Sequence, residues 1–112
     1  MIACGRGDVV LVGFVFSDES GRKVRPALVI SSPAYQRRRR EVIVAAITSN
    51  VQRRLFADHL LADWKAAGLL FPSVATAIVR TVKGTMIDRK LGSLSVSDLQ
   101  AVERQLRLAL GF

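Results

Sequence analysis

One cysteine and one histidine in 112 residues remove several kinds of chemistry at once. Cys4 alone can form neither an intramolecular disulfide nor a cysteine-based metal cluster. With only His59 beside it, a metal site would rest on carboxylates, and the nine acidic residues do not recur at ligand spacing. No apolar run approaches the ~20 residues of a membrane-spanning helix. The apolar stretch between Met1 and Gly7 is too short for a signal peptide, so a cytoplasmic protein is expected. Acidic residues are also outnumbered. Nine Asp and Glu stand against seventeen Lys and Arg, for a net charge of +8. Such an excess on a small chain suits a polyanion, foremost nucleic acid. A solubilising surface, or a disordered acidic peptide as partner, is the blander alternative.

What remains is a chain long enough for one domain, 1–112, and half hydrophobic, which is enough to fold. Its most telling segments are Arg25-Pro26-Ala27-Leu28-Val29-Ile30-Ser31 and Val42-Ile43-Val44-Ala45-Ala46-Ile47-Thr48-Ser49. Each reads as an apolar strand with a polar group at one end. If the two pair antiparallel, the start of the first lies beside the end of the second. Arg25 then meets Thr48 and Ser49 at one rim of a sheet. A fixed guanidinium with hydroxyl donors is what a phosphodiester requires.

Asp8 to Phe16 is β-branched, aromatic and apolar on both alternating faces. That predicts a strand covered on both sides, as in a barrel whose outer face is covered, by a second copy for example. Ser17 to Val24 reads as a long polar hairpin loop, with Arg22 and Lys23 leading to Arg25. Pro33 is expected to stop the second strand, with Arg37 to Arg40 in a following loop. Four adjacent arginines are either a solvated loop or a phosphate-contacting rim. Asn50 to Arg54 is polar and basic, and Leu55 to Leu61 reads as a short strand.

Asp63 looks like the N-cap of one helical turn, Trp64 to Ala67, closed by Gly68. Trp64 reads as a core plug rather than a base-stacking platform. His59 follows Asp58, but adjacent strand residues face opposite ways, so His59 reads as structural or solvated. A fifth strand is expected over Ser73 to Val82, with Val74, Thr76, Ile78 and Arg80 on one face. Ser95 is a good N-cap, with Asp98 as its capping-box partner. Leu99, Val102, Leu106 and Ala109 then form one helical stripe, and Gly111 closes the helix. The sum is a mainly β fold: a small barrel with a short helix and a C-terminal helix.

Gly7-Asp8-Val9-Val10-Leu11-Val12, the Arg25–Ser31 segment and Ile47-Thr48-Ser49 together resemble the MazF/PemK family of toxins. So do Gly68-Leu69-Leu70-Phe71-Pro72-Ser73-Val74, Val79-Arg80-Thr81-Val82, and the ending from Leu91-Gly92-Ser93-Leu94 to Leu108-Ala109-Leu110-Gly111. The resemblance implies a compact SH3-like barrel of the MazF/PemK/CcdB kind and a homodimer. It implies a metal-independent, sequence-selective endoribonuclease of a type II toxin–antitoxin module, cutting single-stranded mRNA and held in check by an antitoxin. No cofactor is implied. The family's arginine and threonine match Arg25 and Thr48, and Arg22, Lys23, Ser49, Arg53 and Arg80 are the candidate RNA contacts.

The 2′-OH of RNA can attack the neighbouring phosphate when held in place. Arg25 is suited to stabilise the resulting charge, because an arginine stays protonated. Asp8, Asp18 and Glu19 are the candidate proton acceptors. One departure is Ala77-Ile78-Val79 before Arg80, where relatives carry polar or charged residues. A non-catalytic relative, binding RNA or a protein such as DNA gyrase, is the alternative reading.

Overall fold

The computed structural model describes residues 2–15 and 21–112; Asp18 and Glu19 lie outside them, as do residues 17–20 of the expected Ser17–Val24 loop. Residues 22–24 are strand instead of loop, so Arg25 lies inside a strand and not at its start. Six strands and two helices follow one another as β1 (Asp8–Val15), β2 (Arg22–Val29), α1 (Pro33–Arg39), β3 (Glu41–Thr48), β4 (His59–Leu60), β5 (Val74–Lys83), β6 (Ile87–Ser93) and α2 (Val96–Leu110). All pairings are antiparallel, in the order β4-β5-β3-β2-β1-β6. The mainly β class holds. β4 and β6 are the two sheet edges and do not pair, so the expected barrel is left open.

Alternation along the strands builds two cores. Val9, Leu28, Ala45 and Ala75 face one cluster, closed by Leu61, Ala67 and Leu69 of the β4–β5 connection and by Val102 and Leu106 of α2. Val10, Val12, Ala27, Val29, Val42 and Val44 face the other, together with Val82 and Ile87. Both faces of β1 are therefore covered by the chain itself, and its two-sided apolar pattern needs no second copy to explain it. Burying each such Val or Leu contributes about 1.5–3 kcal/mol. Trp64 packs against the first cluster as a partly buried plug, as its small apolar neighbours suggested.

Three elements differ from the sequence reading. Pro33 opens a helix instead of only ending a strand. Ser32 caps α1 by accepting the Tyr35 N–H, Pro33 supplies a preset φ at the first turn, and Gln36 is buried. Thus Arg37–Arg39 lie on a helix and Arg40 is its C-cap, not part of a loop. The segment 55–61 is mostly not a strand. Leu55 and Asp58 close a turn through the Asp58 N–H to Leu55 C=O and the Leu55 N–H to the Asp58 carboxylate. Ala57 has φ 71° there, which leaves only His59–Leu60 to pair. β6 was not anticipated, because Ile87-Asp88-Arg89-Lys90 has no apolar alternation and only Ile87 of this strand is buried.

The expected turn at 63–68 forms without becoming a helix. Ala67 N–H reaches Asp63 C=O, Leu69 N–H reaches Trp64 C=O, and Gly68 has φ +87°, the left-handed closure that glycine adopts most readily. The turn is pressed on β6: a Cβ on Gly68 would stand 2.3 Å from the Leu91 carbonyl oxygen, and one on Gly92 2.5 Å from that of Ala67. Only glycine fits at either position. Ser95 caps α2, accepting the Asp98 N–H, but Asp98 does not reciprocate. Its carboxylate, 1% exposed, accepts from Ala62 N–H, Asp63 N–H and His59 Nε2. Ala109 of the expected stripe is exposed, while Leu99, Val102 and Leu106 face the core. Among the described residues no helix is long and apolar enough to cross a membrane.

Candidate active site

The β2–β3 ladder pairs Ala27 with Ala46, Leu28 with Ala45 and Val29 with Val44. Carried two residues beyond Ala27, the same register sets Arg25 beside Thr48. Pro26 has no N–H with which to extend a ladder, and the paired stretch ends next to it. The rim expected from the sequence is therefore present.

Arg25, Thr48 and Ser49 line one cavity of about 440 Å³, a volume within the usual range for small-molecule sites. Its wall includes Leu69, Leu70, Phe71 and Leu91, and Arg89 contributes a second cation. No carboxylate or imidazole lines it among the described residues. Arg25 is exposed and donates to the Val24 carbonyl at 3.2 Å, with no ion pair to a carboxylate among the described residues. The Thr48 hydroxyl oxygen accepts the Asn50 N–H at 3.1 Å, which orients the side chain and leaves its own hydrogen to give to a ligand.

Thr48 also lines a second cavity of about 430 Å³, with Arg53, Asn50, Phe56, Asp58, Ala77 and Ile78. Thr48 is thus common to both cavities, whereas Arg53 lines only the second. Ala77 and Ile78 of the departing stretch belong to this cavity too. Close by, a register shift between Ala45 and Ile47 is bridged by Thr76, whose hydroxyl donates to Ala46 C=O and accepts the Ile78 N–H.

The remaining candidates are not gathered here. Lys23 is exposed and pairs along the β1–β2 ladder with Phe14, while Arg22 pairs with Val15. Arg80 lines neither cavity. Its guanidinium lies 4.7 Å from the centre of the Phe14 ring, a cation–π contact joining β5 to β1. Asp8 is committed elsewhere, accepting from Gly5 N–H and the Ser93 hydroxyl and pairing with Lys90. Burial pushes its carboxyl up, but these donors and the Lys90 charge outweigh burial and hold it below the ordinary range.

His59 is structural, bonded to Asp98 at 2.9 Å and not to Asp58. The Cys4 thiol is pushed up by burial and by the nearby Asp8 charge, which disfavours the thiolate. Arg89, Leu70 and Phe71 were missed as cavity residues. Leu70 and Phe71 are exposed hydrophobics, 84% and 63% accessible, and exposure is what a sequence pattern does not reveal. Among the described residues, no three His, Cys, Asp or Glu side chains converge to hold a metal ion.

Residues 5–110 match the family described as the PemK-like, MazF-like toxin of type II toxin–antitoxin systems. The fold is shared with solved structures. MazE–MazF from Deinococcus radiodurans superposes with a TM-score of 0.81 at 21% identity, covering 99% of each chain. The Mycobacterium tuberculosis toxin MazF-mt6 gives 0.76 at 24% identity, over 94% of this chain and 97% of that one. An endoribonuclease in complex with its cognate antitoxin, from a mycobacterial species, gives 0.77 at 20% identity over 98% and 97%. No curated protein sequence matches.

Proposed function

The chain belongs to the PemK-like, MazF-like toxin family of type II toxin–antitoxin systems, and we propose from this that it is an endoribonuclease that cuts single-stranded mRNA. The observation that carries the proposal is the convergence of Arg25, Thr48 and Ser49 on one cavity that no carboxylate lines among the described residues. A guanidinium without an ion pair among the described residues and a free hydroxyl hydrogen are poised there for an anionic ligand.

The reaction needs no external nucleophile. The 2′-OH gives up its proton to water as its oxygen attacks the adjacent phosphorus, the bond to the 5′-oxygen breaks, and that oxygen takes a proton from water. The products are a 2′,3′-cyclic phosphate and a 5′-OH end. Arg25 holds the charge that builds on the non-bridging oxygens, in a two-pronged contact. Thr48 donates to the same oxygens. Arg89, with Leu70 and Phe71, supports binding of the neighbouring nucleotide through a second cation and an apolar wall. Arg53 lines the neighbouring cavity that shares Thr48 and supports RNA binding there.

The cognate partner is an antitoxin, the working assembly a homodimer, and the place of action the cytoplasm. Solved relatives include an endoribonuclease with its antitoxin and MazE–MazF complexes.

The test is incubation of antitoxin-free protein with a long single-stranded RNA in EDTA, with mapping of the 3′ ends. Discrete cuts ending in cyclic phosphate, absent with Arg25→Ala, are expected. Intact RNA that still binds the protein would replace the proposal with a non-catalytic RNA binder. Neither cutting nor binding would point to a protein target.

A further inference from the structure

We propose that the arginine-rich end of α1 is a second RNA-backbone contact, remote from the cleavage cavity, taking phosphates of the strand beyond the cut site. This rests on the RNA-cleaving reading and extends it to a part of the surface that the reaction does not use. Arg37, Arg38 and Arg40 are exposed and form no ion pair with a carboxylate among the described residues, whereas Arg39 is held by Glu41 and lies 5.4 Å from the centre of the Tyr35 ring. Cations in a last helical turn gain only about 0.3–1 kcal/mol from the helix dipole. So small a gain does not account for Arg37, Arg38 and Arg40, three cations close enough to repel one another.

The cluster is rigidly mounted. Gln36 is buried, donating to Cys4 C=O and accepting from the Ser31 hydroxyl, which in turn accepts the Ile43 N–H. Arg40 has φ 54°, a left-handed conformation costing a non-glycine residue about 1–2 kcal/mol. It is fixed there by its N–H to Gln36 C=O and by the Gly84 N–H to its own C=O. Glycine is the usual occupant of such a cap; here a cation stands in its place. Arg37 and Arg40 line a cavity of about 430 Å³ with Gln36, Gly84 and Thr85.

The position favours RNA over an acidic peptide. β3 runs from Glu41, next to Arg40, to Thr48, about 23 Å at 3.3 Å per residue. The arginines therefore lie at the opposite end of the strand from the cleavage rim. β5 runs back alongside it, pairing Val74 with Thr48, Arg80 with Val44 and Lys83 with Glu41. Arg80 and Lys83 are exposed but, three residues apart on one strand, they project from opposite faces of β5. Lys83, paired with Glu41 at the α1 end, adds a cation beside the arginines.

The test compares the wild type with a variant carrying Arg37→Gln, Arg38→Gln and Arg40→Gln, which keeps the left-handed residue a non-glycine. Binding is measured in the Arg25→Ala background, so that no substrate is consumed, using a long single-stranded RNA across a salt series. The slope of log K against log[salt] should become shallower by about 2, near 0.7 for each lost phosphate contact. In the cleaving background, the preference in kcat/KM for a long over a short substrate should collapse toward one.

An unchanged slope and an unchanged length preference would overturn the proposal while leaving the cleavage reading intact. Weakened binding of a polyglutamate peptide with RNA binding unaltered would also overturn it, in favour of an acidic protein partner. Absence of cleavage by the wild type, with the slope change present, would refute the catalytic reading and leave the contact standing. A second pair, Arg37→Glu with Arg38→Glu, should change the slope in the same direction and guards against a defect special to Arg40.

Discussion

Arg25 is exposed and, among the described residues, its guanidinium hydrogen-bonds only the Val24 carbonyl of its own strand, so its replacement separates chemistry from folding. Arg25→Ala should lower the cleavage rate by about 10³-fold, in the range for loss of a charge-stabilising donor, with a melting temperature within about 2 °C of wild type. Arg25→Lys should recover only part of the rate, since an ammonium lacks the fork. Thr48→Val should cost about 10²-fold, and Thr48→Ser should restore most of it; single-turnover kinetics reads both. If Thr48→Val cleaves at the wild-type rate, the hydroxyl has no role in the reaction. Arg25 and Thr48 were legible in the sequence because each interrupts an apolar run at its end, where a strand gains nothing from a polar group. Arg89 was not, because nothing around it marks a strand. Its place at the cavity comes entirely from pairing with Leu11.

Among the elements, the connection from β4 to β5 is held by two contacts that test independently. Gly68→Ala should destabilise the protein by about 3 kcal/mol or more, because both its φ of +87° and the Leu91 oxygen 2.3 Å away oppose a side chain. Denaturant unfolding measures this. Asp98 ties the start of α2 to residues 59–63. Burial pushes its carboxyl up, but the Ala62, His59 and Asp63 donors prevail and set it below its ordinary range. Its contribution to stability is therefore complete above the unfolded-state value near 4 and is lost as pH falls through the lower native one. Asp98→Asn should cost about 2–4 kcal/mol at neutral pH, and the difference from wild type should shrink in acid. If that difference stayed constant down to pH 2, the carboxylate would not be the group responsible. The capping signal at Ser95 was readable in the sequence. The partners of Asp98 were not, since they lie 35 to 39 residues away. α1 was hidden for a local reason: Ser32-Pro33 marks a helix start as well as a strand stop, and the buried Gln36 decides between them.

Across the whole molecule, strand composition was enough to give the mainly β class, and two-sided apolar strands correctly indicated cover on both faces. They did not say what supplies the cover, which here is α2 and the 61–69 connection on one side and the curl of the sheet on the other. Net charge is a property of the same scale. With +8 overall, RNA affinity of the Arg25→Ala protein should fall steeply with salt, the log–log slope being about −3 or steeper if four or more phosphates are touched. Filter binding between 50 and 300 mM KCl measures it. A slope near zero would mean that the charge serves solubility and not RNA.

The close approach of Gly68 and Gly92 to the opposing backbone has a consequence for how such a chain diversifies. The wall that carries Leu70 and Phe71 is fixed in place by main chain against main chain, so neither side chain is needed to hold it there. Positions 70 and 71 should therefore tolerate replacement where Gly68 and Gly92 do not. Under the proposed RNA-cleaving reading, such replacements should change which nucleotide is accepted while the backbone that presents it keeps its place.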